Sequence, residues 1–144
     1  MAGHGLPATR DAQYAAAMPN DTATAGDLLA RGREIAGKLW GARAGGTELP
    51  AQKLAPEFFG LVTQFVFGMF WARPSLDLRS RSLCTVAQLA ALGRIDELKG
   101  HLAGALNLGI TREELIEVLM QTACYAGVPA AVNALNAAAD VLKP

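Results

Sequence analysis

The chain has 144 residues, and alanine and leucine together supply one third of them. Val, Ile and the aromatic residues are too few for an all-β protein, whereas Ala and Leu favour helices. The 13 basic and 13 acidic residues balance, which argues against the basic surface of a typical nucleic-acid-binding domain. At this length we expect one domain, with a core that needs neither disulfides nor metals to fold.

The two cysteines, Cys84 and Cys124, form no C-x-x-C pair and no zinc pattern. Their apolar neighbours predict reduced, buried packing residues, as is typical of a cytosolic protein. No uncharged apolar run is long enough for a transmembrane helix, and the N-terminus does not resemble a signal peptide. We therefore expect a cytoplasmic protein with no membrane partner.

Residues 1–23 contain few large apolar side chains. They predict a flexible N-terminal tail, because such a segment buries too little surface to offset the entropy lost on ordering. His4 lies in this tail, and we expect no function for it. Residues 24–144 are expected to form a single helical domain.

Within that domain, cap residues and apolar spacing predict a series of helices in chain order. Thr24 and Asp27 form a capping pattern before the first helix, and Asp77 caps the third. Thr111 with Glu114 is a capping box before the fifth helix. The predicted helices cover about 24–40, 56–71, 77–92, 96–108, 111–126 and 129–142.

Residues 41–53, rich in glycine and holding Pro50, are expected to be a connector. The stretch 83–92 is apolar almost all round, which predicts a central buried helix. No convincing strand is found. The predicted fold is an all-α bundle of about six helices.

The residue pair best suited to chemistry is Glu97 with His101. Four residues apart on one predicted helix, the two side chains share a face. A carboxylate beside an imidazole orients the ring and favours its charged form, and such a pair transfers protons near neutral pH. The alternative is an ordinary surface pair that adds only a few tenths of a kcal/mol.

Arginines crowd the segment W-A-R-P-S-L-D-L-R-S-R at 71–81, where Arg73 and Arg81 are candidates for binding a substrate carboxylate. Arg79 is expected to point to a different side of the helix from Arg81. The alternative is that these arginines are solvated or pair with acidic residues, including those of the fifth helix. Trp71 and Tyr125 are candidate walls of a binding site, or else core and junction residues.

The motifs R-P-S-L-D-L-R-S-R, E-L-K-G-H, G-I-T-R-E-E-L-I-E-V and Y-A-G-V-P-A-A, spread over 71–142, closely resemble the carboxymuconolactone decarboxylase family. The likeness extends back through 28–41 and through the P-E-F-F-G-L-V-T-Q-F-V-F-G helix. The resemblance implies an all-α fold that assembles into homo-oligomers, often trimers or hexamers. It also implies a small-molecule substrate and neither a metal nor an organic cofactor.

One branch of the family consists of partner proteins of alkyl hydroperoxide reductase, which use two cysteines and a glutamate. Aligned on His101, those positions are Arg94, Glu97 and Ser82 here, so dithiol chemistry is not expected. The resemblance to the decarboxylase branch instead implies Glu97 and His101 as catalytic residues. It implies cofactor-independent decarboxylation of an unsaturated lactone through a dienolate, with His101 as general acid/base and Arg81 on the substrate carboxylate.

Two positions depart from the decarboxylases of aromatic catabolism. Ala103 stands in place of an arginine, and Leu108 in place of a polar residue. We therefore keep two alternatives open: a tailoring enzyme that acts on a more apolar lactone or polyketide-like natural product, and a non-catalytic oligomeric binding protein. The small residues Ala103, Gly104 and Ala105 are expected to widen the pocket and strip it of charge.

Overall fold

The computed structural model describes residues 22–41 and 49–143, and all regular structure in these ranges is helical. Most of the predicted tail, with His4, therefore lies outside the described residues. The helices are α1 (Ala25–Trp40), α2 (Pro50–Leu54), α3 (Pro56–Val62), a π-helix π1 (Thr63–Trp71), α4 (Leu78–Ala91), α5 (Ile95–Asn107), α6 (Arg112–Ala126) and α7 (Val128–Ala139). The predicted all-α fold is confirmed.

The predicted helix starts are where the structure has them. Thr24 and Thr111 each form a complete capping box, and Asp77 accepts a hydrogen bond from the Ser80 N–H. These side chains satisfy backbone donors that the first helical turn leaves unpaired. Gly41 and Gly93 follow helix ends with positive φ angles of 55° and 65°, a conformation that glycine adopts without strain.

Two predicted segments differ from the structure. The predicted connector contains the short helix α2, which begins at Pro50. The single helix predicted over 56–71 is α3 followed by the nine-residue π1. At its end, the Ala72 N–H bonds the Phe67 carbonyl five residues back at 3.0 Å. The wider turn changes the direction of the side chains that follow, which an apolar pattern alone does not reveal.

Two buried clusters form the core. The larger one joins α4, α5, α6 and α7 through residues that include Val86, Leu98, Leu102, Leu115 and Leu119. The smaller one joins α1 to π1 through Ile35, Leu39, Phe67 and Trp71, and Leu78 and Leu108 pack against it. Leu78 begins α4 and Leu108 follows α5. The start of α4 and the end of α5 therefore both contact the smaller cluster.

Helix α1 and π1 lie in unusually close contact at two glycines. A Cβ atom added to Gly32 would lie 2.2 Å from the Thr63 carbonyl oxygen, and one added to Gly68 would lie 2.2 Å from the Leu28 carbonyl oxygen. Side chains at either position would force the backbones apart. The two glycines therefore allow the backbones of α1 and π1 to pack in direct contact.

The prediction that α4 is buried all round is wrong for the single chain. Ser82, Val86 and Ala90 are buried on one face, whereas Cys84, Gln88 and Leu92 are exposed. Cys84 and Cys124 were expected in the core, yet both are exposed, because they lie on helix faces turned away from the larger cluster. No helix within the described ranges is long and apolar enough to cross a membrane.

Candidate active site

His101 lies on α5 between two tryptophan rings. Its ring centroid is 5.6 Å from that of Trp40 in an edge-on arrangement, and 6.1 Å from that of Trp71 at an interplanar angle of 34°. Phe67 adjoins both tryptophans, with centroid distances of 5.3 Å to Trp40 and 5.7 Å to Trp71. The neighbours of the ionisable imidazole in these contacts are therefore aromatic rings without charge.

The imidazole holds an unused hydrogen-bonding atom inside the protein. Nδ1 of His101 is buried and has no partner within the described residues. A buried polar atom without a partner costs roughly 1–3 kcal/mol, so proteins rarely retain one without a use. The atom is available to a bound ligand or to a proton in transfer.

The aromatic environment lowers the pKa of His101. Burial is the larger effect, because it disfavours the imidazolium, and the negative charge of Glu97 opposes it only in part. Glu97 thus favours the charged ring, as expected, but burial outweighs its effect on the pKa of His101. The pKa of His101 lies below its ordinary value of about 6.5, which favours the neutral imidazole at neutral pH.

Helix α1 holds Trp40 against His101 through contacts with α5. The Trp40 Nε1–H donates to the Gly100 carbonyl at 3.3 Å, and the Asn107 side-chain amide donates to the Leu39 carbonyl at 2.8 Å. A Cβ on Gly104 would lie 3.3 Å from both the Leu39 carbonyl oxygen and Trp40 Nε1. Gly104 thus permits the packing of α1 on α5, which corrects the expectation that it widens the pocket.

Ala105 is a fully buried member of the larger cluster, and Leu108 packs against the smaller one. Their small or apolar character therefore also serves helix packing. Glu97 lies on the first turn of α5 and is exposed. Within the described residues no hydrogen bond or ion pair joins it to His101, so the two groups interact only through their charges.

Arg81 is half-buried on α4, with its guanidinium directed to the loop before that helix. Its Nε–H donates to the Leu76 carbonyl at 3.0 Å, and an Nη–H donates to the Arg73 carbonyl at 2.9 Å. These bonds use two of the five N–H donors of an arginine. Burial, with a smaller contribution from Arg73, lowers the pKa of Arg81. Arg79 instead pairs with Glu114 on α6, as the alternative interpretation predicted.

Tyr125 does not lie in the aromatic environment of His101. It is 86% exposed and lines a different feature, an apolar groove of about 420 Å³ between α4 and α6. Cys84, Gln88 and Gln121 also line this groove, whereas His101, Glu97 and Trp71 do not. The structure thus brings Trp71 and His101 together and separates Tyr125 from them.

Sequence reasoning missed Trp40 beside His101 and the buried hydroxyl of Ser82 on α4. Trp40 lies 61 positions before His101, at the end of a helix whose partner no local pattern predicts. Ser82 is fully buried on α4, and its hydroxyl oxygen is without a partner in the described part of the chain. The burial of Ser82 could have been predicted from its spacing, since it stands four residues from Leu78 and from Val86 on an apolar helix face.

These features describe an all-α protein with a neutral histidine enclosed by aromatic rings at a junction of three helical elements. The family model for the carboxymuconolactone decarboxylase family matches residues 56–140, more than half of the chain. The chain belongs to the carboxymuconolactone decarboxylase family.

Two curated relatives are named as decarboxylases. The chain is 42% identical over 87 residues to a 4-carboxymuconolactone decarboxylase of Acinetobacter baylyi, covering 60% of this chain and 65% of that protein. It is 36% identical over 75 residues to a nitrosuccinic acid decarboxylase of Metarhizium robertsii, covering 52% of each. The matches thus span less than two thirds of either relative.

Proposed function

We propose that the protein is a carboxy-lyase that decarboxylates a small unsaturated lactone resembling 4-carboxymuconolactone, without a cofactor. The observation that carries the proposal is the His101 ring, which contacts two tryptophans and has a buried Nδ1 with no partner in the described residues. The named activity of the Acinetobacter relative supports it. The reaction needs few groups, because the conjugated lactone accepts the electrons itself.

In the proposed reaction, the bond between the ring carbon and its carboxylate breaks and carbon dioxide leaves. The bonding electron pair moves through the ring double bond to the lactone carbonyl, which becomes the oxyanion of a dienolate. Protonation of a ring carbon then restores a neutral lactone. The protein must bind the substrate, stabilise the oxyanion and supply one proton.

His101 is proposed to supply that proton. In the empty site its ring is neutral, but an anionic substrate beside it favours the imidazolium. The histidine thus gains a proton with the substrate, passes it to the dienolate carbon and returns to the neutral form. The aromatic walls support this role because they also limit access of water to the dienolate.

Arg81 is proposed to bind a carboxylate that the substrate keeps, using N–H groups not bonded to the loop carbonyls. Those two carbonyl bonds fix the guanidinium, so little side-chain entropy is lost on binding. Arg73, whose carbonyl accepts one of these bonds, is proposed to add positive charge nearby. Trp71 is proposed as a wall for the lactone ring, and exposed Glu97 as a group that tunes His101 through its charge.

Incubation of the purified protein with 4-carboxymuconolactone tests this function through loss of the conjugated absorbance. We expect turnover by the wild-type protein and a loss of roughly 100- to 10,000-fold in kcat for His101→Ala. His4→Ala, which removes the other histidine, is the matched control and should retain full activity. A folded His101→Ala protein with unchanged kcat would refute the role of His101.

A second candidate substrate is a small nitro acid such as nitrosuccinic acid, supported by the name of the Metarhizium relative. Loss of a carboxylate next to a nitro group also places the electron pair on oxygen before a carbon is protonated. The same site is therefore compatible with either substrate. Assays with both compounds decide between them, and binding without turnover of either would favour the non-catalytic alternative.

We also propose that the chain forms a homo-oligomer, with a trimer or hexamer expected. A row of large apolar side chains along α3 and π1 is exposed, at Phe58, Leu61, Phe65 and Met69. Exposed apolar patches of this kind mark contact surfaces more often than solvated ones. A second copy of the chain would cover this row.

A further inference from the structure

Ser82 differs from the threonines inside the described helices in having no hydrogen-bond partner for its hydroxyl. The hydroxyls of Thr63, Thr85 and Thr122 each donate to the carbonyl four residues earlier, at 2.8, 2.9 and 3.2 Å. This is the usual arrangement for a hydroxyl inside a helix. The Ser82 oxygen makes no such bond, although the residue is 0% exposed.

The position of Ser82 follows from the packing of α4 on α5. These helices are antiparallel and connected through 92–94, and they align so that Leu78 and Leu108 contact the same cluster. Ser82 lies between Leu78 and Val86 on the face of α4 whose Val86 packs with Leu98 and Leu102 of α5. Ser82 therefore lies in the seam between the two helices.

His101 lies close to the same level of this seam. Counting equally from Gly93, Ser82 corresponds to Gly104, three residues from His101, or about 4.5 Å along the helix axis. Trp71, which contacts the His101 ring, belongs to the cluster against which Leu78 packs. Within the described residues, Ser82 Oγ on α4 and His101 Nδ1 on α5 are the two buried side-chain polar atoms without a hydrogen-bond partner, and the count places their residues at neighbouring levels along the two helices.

The other side-chain donors considered for the site have backbone partners, and the remaining N–H groups of Arg81 are assigned to the carboxylate that the substrate keeps. The Trp40 Nε1–H donates to the Gly100 carbonyl, the Asn107 amide to the Leu39 carbonyl, and Arg81 to two loop carbonyls. Backbone N–H groups in the interior of α4 and α5 are used within the helices. The Ser82 hydroxyl is free to rotate its hydrogen toward a ligand.

We propose that the Ser82 hydroxyl donates a hydrogen bond to the substrate oxygen on which negative charge gathers when carbon dioxide leaves. Ser82 is then a catalytic residue that stabilises the oxyanion, while His101 on α5 protonates the carbon. The inference rests on the proposed function, since it assigns the oxyanion partner of that reaction. No electron or proton leaves Ser82, whose O–H bond stays intact throughout.

The first test is the kinetics of Ser82→Ala on the substrate that the wild-type protein turns over. A donor that acts mainly in the transition state is expected to affect kcat more than KM. We expect kcat to fall at least about tenfold with KM changed less than about threefold. Alanine is the better helix former, so the urea midpoint should stay equal or rise.

Thr85→Val is the matched control, because it removes a helical hydroxyl three residues away that already has a backbone partner. This variant should keep its kcat within about twofold, as expected for loss of a group that bonds only its own helix. An unchanged kcat in Ser82→Ala, or an equal loss in both variants, overturns the proposal and leaves the decarboxylase function standing.

A second test does not depend on turnover. The 4-nitrophenolate anion carries conjugated charge on an oxygen, as the dienolate does, and its visible absorbance shifts when that oxygen accepts a hydrogen bond. We expect wild-type protein and Thr85→Val to bind it with a shifted spectrum, and Ser82→Ala to bind at least about tenfold more weakly without the shift. Identical spectra and affinities in all three proteins, or no binding by the wild type, overturn the role of Ser82.

Discussion

At the scale of single residues, the surroundings of His101 determine what its ring can do. Trp40, Trp71 and Phe67 supply no negative charge, and exposed Glu97 offsets burial only in part. The histidine thus remains neutral until something anionic enters. A group that changes protonation with ligand binding suits a reaction that consumes one proton for each carbon dioxide released.

Folding stability should therefore depend on pH through His101. Its folded pKa is lowered, so the unfolded chain binds the proton more tightly, and stability is lost as pH falls below about 6.5. We expect the urea midpoint to fall between about pH 7 and pH 5, above the range in which the carboxyl groups titrate. His101→Phe should show a shallower decrease, and equal slopes in the two proteins would contradict the buried neutral ring.

Binding of an anion should draw a proton into the site. The saturated analogue of 4-carboxymuconolactone keeps the carboxylates but lacks the conjugated double bond, so it should bind without reacting. Calorimetric titrations in two buffers of different ionisation enthalpy should show uptake of up to about one proton per site at neutral pH. His101→Gln should bind the analogue without this uptake, and uptake that persists in the variant would exclude His101 as its source.

At the scale of elements, the contact of α1 with π1 builds the aromatic site. Gly32 and Gly68 allow carbonyl groups of the opposite element to approach, and the end of each element carries one of the two tryptophans. The π-helical winding rotates the last turn so that Phe67 and Trp71 are buried while Phe65 and Phe70 are exposed. The packing of α1 on π1 therefore also forms the aromatic surroundings of His101.

Substituting Gly68 by alanine should be strongly destabilising. The added Cβ meets the Leu28 carbonyl oxygen at 2.2 Å, so the backbones must separate, at a cost of roughly 2–4 kcal/mol. Gly60→Ala in α3 is the control, since nothing lies within 4 Å of its Cβ, and it should stabilise by up to about 1 kcal/mol. Urea denaturation of both variants measures this, and similar effects in the two would contradict the close approach.

At the scale of the whole molecule, the exposed face of the single chain is unusually apolar. The row from Phe58 to Met69 runs along α3 and π1, and π1 packs directly against α1 and carries Trp71 of the site. An oligomer that covered this row would also restrain π1, and with it Trp71. Assembly and the integrity of the site are then expected to change together.

A charge placed within the row should dissociate the oligomer. Leu61→Glu is expected to shift the mass measured by light scattering toward that of one chain, because a buried unpaired carboxylate costs several kcal/mol at an interface. Ala139→Glu, an exposed position on α7 outside the row, should leave the mass unchanged. A wild-type protein that is already monomeric, or a Leu61→Glu oligomer of unchanged mass, would rule out this surface as the interface.

The local sequence determined the helices and most of their ends, because caps at Thr24, Asp77 and Thr111 act within one turn and need no distant partner. It also singled out His101, through the family motif, and placed Glu97 on the same helix. Apolar spacing could not separate α3 from π1, because residues 58–71 are almost all apolar and no polar face distinguishes the two windings. It likewise placed Cys84 and Cys124 inside, because composition does not tell which apolar face meets the core.

Only the tertiary structure decided what surrounds the histidine. Trp40 reaches His101 from 61 positions away, and Tyr125 falls on another surface. These outcomes depend on how helices pack, through glycines that permit close approach and clusters that set the alignment of α4 with α5. The direction of the His101 pKa shift also depends on packing, since burial by distant residues lowers it more than the charge of Glu97, four positions away, raises it.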